Sequence, residues 1–159
     1  MDDKWHLRYL KIAAEIAQWS KDPSTKIGAV CIGTSGQILS QGYNGFPRGI
    51  RDLRARLKDR ETKYTFTIHA EMNCIYNASL SGISLNGSSL YVYGLPICHE
   101  CAKGVLQSGI KAVYCAYDTN ISDKWSESWL LSEAMFNEAE IEFKTFNISK
   151  IGVYNSALV

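Results

Sequence analysis

The chain has 159 residues, 46% of them hydrophobic and 21% charged, which suits one globular domain over residues 1–159 with a single sizeable core. Its 17 basic and 16 acidic side chains leave a formal net charge of +1, so no all-basic stripe marks a nucleic acid as the main partner. No stretch reaches the length of a membrane span, and the polar start Met1-Asp2-Asp3-Lys4-Trp5 is unlike a signal peptide, so a soluble, cytoplasmic chain with no membrane partner is expected.

From Lys4 to Ser20 the apolar residues Trp5, Leu7, Leu10, Ala13, Ile16 and Ala17 recur at helical spacing. Asp22-Pro23-Ser24 ends that helix, because the residue before proline avoids the helical region. Lys26–Ile32 and Gln37–Tyr43 are β-rich and flank the turn Thr34-Ser35-Gly36, which predicts a hairpin. Asn44-Gly45-Phe46-Pro47-Arg48-Gly49 reads as a loop. Residues 50–64 are polar and weakly helical at best. Arg48, Arg51, Arg54, Arg56, Lys58 and Arg60 cluster there, but Asp52, Asp59 and Glu61 interleave with them, so the stretch reads as a solvated face.

Thr67–Ser79 predicts a helix and Ser89–Tyr93 a short strand. Gly94-Leu95-Pro96 breaks the chain before a helix over Cys98–Ser108, with Gly109 at its C-terminal cap. Ala112–Ala116 is a buried strand, Ser126–Ala139 a helix and Ile141–Phe146 a last strand. Strands separated by helices in the second half predict parallel pairing there, in an α/β fold with helices covering the sheet.

Five cysteines without a repeating spacing do not suggest a disulfide framework. Cys31, Cys74 and Cys115 lie in apolar runs and read as buried small hydrophobes. Cys98 and Cys101 form a C-x-x-C pair that opens one predicted helix, and His69-Ala70-Glu71 opens another. A C-x-x-C alone could be a redox pair, and His69 alone a core histidine. Together at two helix starts they offer one imidazole and two thiolates. That is a three-ligand zinc set with the fourth position left for water, whereas a structural site closes with a fourth residue. The positive ends of the helices favour the thiolates. Glu71 need not be a ligand, so it is free to take and return a proton. His99 and Glu100, between the cysteines, are expected to point away from the metal. H-x-E followed by P-C-x-x-C is the general signature of zinc nucleobase deaminases, and this chain carries it except for the adjoining proline.

Four blocks carry a family resemblance: Asp22-Pro23-Ser24-Thr25-Lys26-Ile27-Gly28-Ala29-Val30, Gly42-Tyr43-Asn44-Gly45-Phe46-Pro47, His69-Ala70-Glu71-Met72-Asn73 and Cys98-His99-Glu100-Cys101-Ala102-Lys103. The chain resembles the cytidine and deoxycytidylate deaminase superfamily, nearest its deoxycytidylate branch. The resemblance implies a three-layer α-β-α fold with a five-stranded mixed sheet. It implies hydrolytic deamination of a cytosine nucleotide, dCMP to dUMP and ammonia, with one catalytic Zn2+ per chain on His69, Cys98 and Cys101. The alternative is another cytosine or nucleobase substrate, such as a nucleoside, a modified nucleotide or single-stranded nucleic acid.

The resemblance also implies Asn44 at the sugar hydroxyl; apart from it, Asn44 reads equally as a left-handed turn residue. Lys26 and Arg48 are candidates for the 5′-phosphate and Tyr117 for a further substrate contact. A homo-oligomer, up to a hexamer, and dCTP and dTTP as effectors are implied as well. Three departures stand out, one being the highly charged segment Arg51–Tyr64, a candidate specificity or effector element. Proline precedes the first cysteine by two residues, in Pro96-Ile97-Cys98, where the family has it directly before. The segment Arg48–Ile68 has no cysteine or histidine, so no second, structural zinc is expected.

Overall fold

A computed structural model describes residues 2–121 and 123–152. The first helix, α1 (Asp3–Ala17), is capped by the Asp2 carboxylate, which accepts from the Lys4 N–H, and it ends at Gln18, ahead of the proline. A hairpin follows, β1 (Gly28–Ile32) and β2 (Ile38–Tyr43), antiparallel as expected. Next come two short helices where the sequence suggested little order, α2 (Arg54–Lys58) and α3 (Arg60–Phe66). The chain continues through α4 (Ala70–Leu80), β3 (Ser89–Gly94), α5 (His99–Gln107), β4 (Ala112–Tyr117), α6 (Ser126–Glu138) and β5 (Glu142–Asn147).

The five strands form one mixed sheet in the order β2-β1-β3-β4-β5. β1 is antiparallel to both neighbours, while β3, β4 and β5 run parallel, joined through α5 and α6. Both faces are covered. On one, α1 packs over Val30, Tyr91, Tyr114 and Phe146. On the other, Cys74 and Ala78 of α4, Ala102 and Val105 of α5 and Phe136 of α6 pack over Ala29, Leu90, Val92 and Val113. Each large apolar side chain buried there contributes about 1.5–3 kcal/mol relative to exposure. This core fixes the ends of α4 and α5, which carry the predicted ligands. Cys31, Cys74 and Cys115 are buried free thiols, as their apolar neighbours suggested.

The register decides where those helices start. Gly28 lies beside both Tyr43 and Tyr93, so the start of β1 and the ends of β2 and β3 share one edge of the sheet. Two glycines make the approach close enough. A Cβ on Gly42 would fall 2.4 Å from the Cys74 nitrogen, so α4 lies directly on the β2 backbone. Gly94, at φ +124°, turns the chain from β3 toward Cys98, and a side chain there would meet the Lys26 carbonyl at 2.8 Å. Among the described residues no helix is long and apolar enough to cross a membrane.

Candidate active site

The two ligand-bearing segments converge because both are helix starts at the same end of the sheet. His69 is the N-cap of α4, but its side chain makes no capping hydrogen bond, which leaves the ring free to turn toward α5. Cys98 is the N-cap of α5, and its sulfur accepts from the Cys101 N–H at 3.5 Å. His69 Nδ1 lies 3.4 Å from Cys98 Sγ and 3.4 Å from Cys101 Sγ. The three ligand atoms all fall within 4.8 Å of one another. Sulfur and nitrogen on one tetrahedral zinc stand roughly 3.5 Å apart, from Zn–S of about 2.3 Å and Zn–N of about 2.0–2.1 Å. The donor set and its spacing therefore fit zinc, and among the described residues no other group of this kind occurs.

Without a metal the three groups hold protons between them. The hydrogen bond to Cys98 lifts His69 to about 9. Cys98 is held down to about 4, chiefly by its hydrogen bond with Cys101, and the same contact pushes the Cys101 thiol up. A divalent cation held by His69, Cys98 and Cys101 would have to displace these protons and would take both sulfurs as thiolates.

Glu71 sits in the first turn of α4, only 3% exposed. Its Oε2 is buried with no hydrogen-bond partner. Burial pushes its carboxyl up to about 7, against the opposing pull of His69. An unpartnered buried carboxyl oxygen is costly, and such a group commonly marks a site that a ligand completes.

His69, Glu71 and Cys98 open into one cavity of about 770 Å³, within the usual range for a small-molecule site. Asn44 lines it too and is 4% exposed. Its Nδ2 donates to the Thr25 carbonyl at 2.8 Å and its Oδ1 accepts from the Ile27 N–H at 2.9 Å. Its φ is not positive, so a left-handed turn is not what places it. One Nδ2 hydrogen and one Oδ1 lone pair remain for a ligand.

The other expected contacts lie elsewhere. Lys26 donates its ammonium to the Ser20 carbonyl. Arg48 donates to Asn77 Oδ1 in a separate groove beside β2 and α4. Tyr117 packs against the core of the α4–α5 face. None of the three lines the cavity.

Several wall residues escaped the sequence reading. His99, which is not among the clustered ligand residues, lines the cavity while its Nδ1 is bonded to Ser128 Oγ at 2.8 Å. Trp125 and Trp129 form an aromatic side, brought back by α6. Lys63 of α3 pairs with Asp22 at 3.2 Å, both side chains 11% exposed, and reaches Ser24 Oγ at 3.3 Å. This pair ties α3 to the Asp22–Thr25 loop. Asp22-Pro-Ser-Thr was visible as a motif, but its partner 41 residues away was not.

Known proteins resemble this chain in sequence and fold. A family model described as the cytidine and deoxycytidylate deaminase zinc-binding region matches residues 3–117. An uncharacterized deaminase in the luxG 3′ region of Aliivibrio fischeri is 40% identical over 143 residues, spanning 89% of this chain and 93% of that one. The deoxycytidylate deaminase of Mus musculus is 36% identical over 150 residues, spanning 90% and 80%. The crystal structure of dCMP deaminase from cyanophage S-TIM5 in complex with dCMP and dUMP has the same fold, with a TM-score of 0.71 at 26% identity over 92% of this chain and 99% of that one.

Proposed function

The chain belongs to the cytidine and deoxycytidylate deaminase family, and on that premise we propose that it hydrolyses dCMP to dUMP and ammonia. The observation that carries the assignment of roles is Glu71: a buried carboxyl with a free oxygen, two residues beyond His69, inside the cavity that His69 and Cys98 also line.

His69, Cys98 and Cys101 hold one zinc ion, which when bound supplies the Lewis-acid charge that makes water nucleophilic near neutral pH. Glu71 accepts a proton as the water oxygen bonds to C4 of the cytosine ring, and delivers it to N3. It then moves the remaining hydroxyl proton to the exocyclic nitrogen. The C4–N4 bond breaks, ammonia leaves and C4 keeps the oxygen as a carbonyl. A buried carboxyl with one oxygen unpartnered, facing the same cavity as His69 and Cys98, can both take and give that proton. Asn44 holds the sugar hydroxyl with its remaining donor and acceptor. Likeness to deoxycytidylate deaminases over most of both chains supports the nucleotide substrate.

The same reading extends to a cytoplasmic homo-oligomer, up to a hexamer, that responds to dCTP and dTTP. The free thiols support a reducing compartment, and exposed Ile38 and Leu80 on the β2–α4 side offer apolar surface for self-association. Purified, zinc-loaded protein assayed with dCMP, CMP, deoxycytidine and single-stranded DNA is expected to release ammonia fastest from dCMP. Turnover of DNA or deoxycytidine with none of either monophosphate would overturn the substrate assignment.

A further inference from the structure

The polar stretch between the Asn44 loop and α4 has no task in the chemistry above, yet it forms a wall of the cavity through Leu57, Lys58, Arg60, Lys63 and Tyr64. Its charges are unevenly spent. Lys63 and Asp22 neutralise each other in a mostly buried pair. Glu71 lies at the metal end, buried. Lys58 and Arg60 also line the cavity, are exposed, and have no carboxylate within ion-pair distance among the described residues.

The local structure explains how both reach one space. Asp59, between them, closes α2 and caps α3, with its carboxylate accepting from the Thr62 N–H at 3.0 Å and from the Thr62 hydroxyl. Its extended backbone, φ −78° and ψ 111°, breaks the two helices apart at this point. The acidic neighbour is therefore occupied by capping. The Lys63–Asp22–Ser24 tie holds the segment against the loop across the cavity. Arg60 lies 5.4 Å over the Tyr64 ring, which supports its guanidinium plane at the wall. Lys26 and Arg48 are turned to other partners and are not in this cavity.

We propose that Lys58 and Arg60 bind the 5′-phosphate of the substrate and so set the preference for a nucleotide over a nucleoside. The proposal rests on the nucleotide reading above. A guanidinium fork and an ammonium together suit a phosphate dianion, the first through paired N–H donors and the second as a point charge. The arrangement leaves the base at the metal-binding end, beside buried Glu71, and the anion at the wall formed by Lys58 and Arg60.

The test is steady-state kinetics on zinc-loaded wild type and the Lys58→Ala/Arg60→Ala double variant with dCMP. Both residues are exposed, so the fold should tolerate the change. KM for dCMP is expected to rise at least about tenfold, the scale of one lost charge-assisted contact, with kcat changed far less. The charge-keeping variant Lys58→Arg/Arg60→Lys should recover most of the loss. If wild type turns over dCMP and the double variant has the same KM, the phosphate assignment fails while the deaminase reading stands. If wild type acts on deoxycytidine and ignores dCMP, the nucleotide reading fails and takes this proposal with it.

Discussion

On the α1 side of the sheet His6 and the hydroxyls of Tyr9 and Tyr91 find partners within the protein. His6 Nδ1 pairs with the Tyr91 hydroxyl at 3.0 Å, and the Tyr9 hydroxyl donates to the Gly36 carbonyl at 3.2 Å. The Tyr91 and Tyr114 rings stack with centroids 4.8 Å apart, and His6 lies 4.0 Å from Tyr114. On the α4–α5 side, a single carboxyl oxygen of Glu71 is buried with no partner, beside three atoms that could hold a metal ion. The same sheet thus has one face where these aromatic groups have partners and, among the described side chains, only Gln41 Oε1 is buried without one, and another where the unpartnered atom is a carboxyl oxygen beside a group able to hold a metal. Stability should depend on both faces, and turnover on the second.

The sharpest way to separate them is Cys101→Ser. It removes one of three ligands, so zinc binding and deamination should be lost together, as metal analysis and an ammonia assay would show. The near-ultraviolet dichroism of the aromatic α1 face should persist. Retained zinc with full turnover would mean that the ligand set is wrong. Tyr91→Phe acts on the opposite face. Removing the hydroxyl that partners His6 should cost about 1–3 kcal/mol in urea unfolding and leave dCMP turnover unchanged. A loss of turnover without a loss of stability would show that the faces are coupled.

The smallest effect concerns pH. Burial lowers the pKa of His6 below its ordinary value, so the folded state prefers it neutral. Its contribution is complete above about 6.5 and is lost as pH falls through the lower folded value, because the unfolded chain binds the proton first. Urea midpoints of zinc-loaded wild type should therefore drop more steeply below about pH 6.5 than those of His6→Phe. Parallel curves would remove His6 from the account.

The sequence was most readable where periodicity or ligand chemistry was strong. The apolar spacing from Trp5 to Ala17 marked α1, and Thr34-Ser35-Gly36 marked the hairpin. His69-x-Glu71 with Cys98-x-x-Cys101 marked three ligand atoms that the fold brings within 4.8 Å. The stretch 50–64 hid α2 and α3 because it lacks an apolar stripe. Those helices are held by the Asp59 cap and the Lys63–Asp22 pair, which spans 41 residues. Trp125 and Trp129 gave no local sign of lining a cavity, since only the return of α6 over α5 puts them there. Lys26 and Arg48 had the right charge, but charge does not reveal that Lys26 reaches the Ser20 carbonyl and Arg48 reaches Asn77, neither lining the cavity.

The most direct test compares dCMP turnover and zinc content in wild type and Glu71→Gln. Zinc should be one per chain in both, because Glu71 is not among the ligand atoms. Turnover should fall by about 10²–10⁴-fold or more in the variant, the scale of a lost proton-transfer group. Equal turnover in the two proteins, or a zinc-loaded wild type inert toward dCMP, would contradict the account.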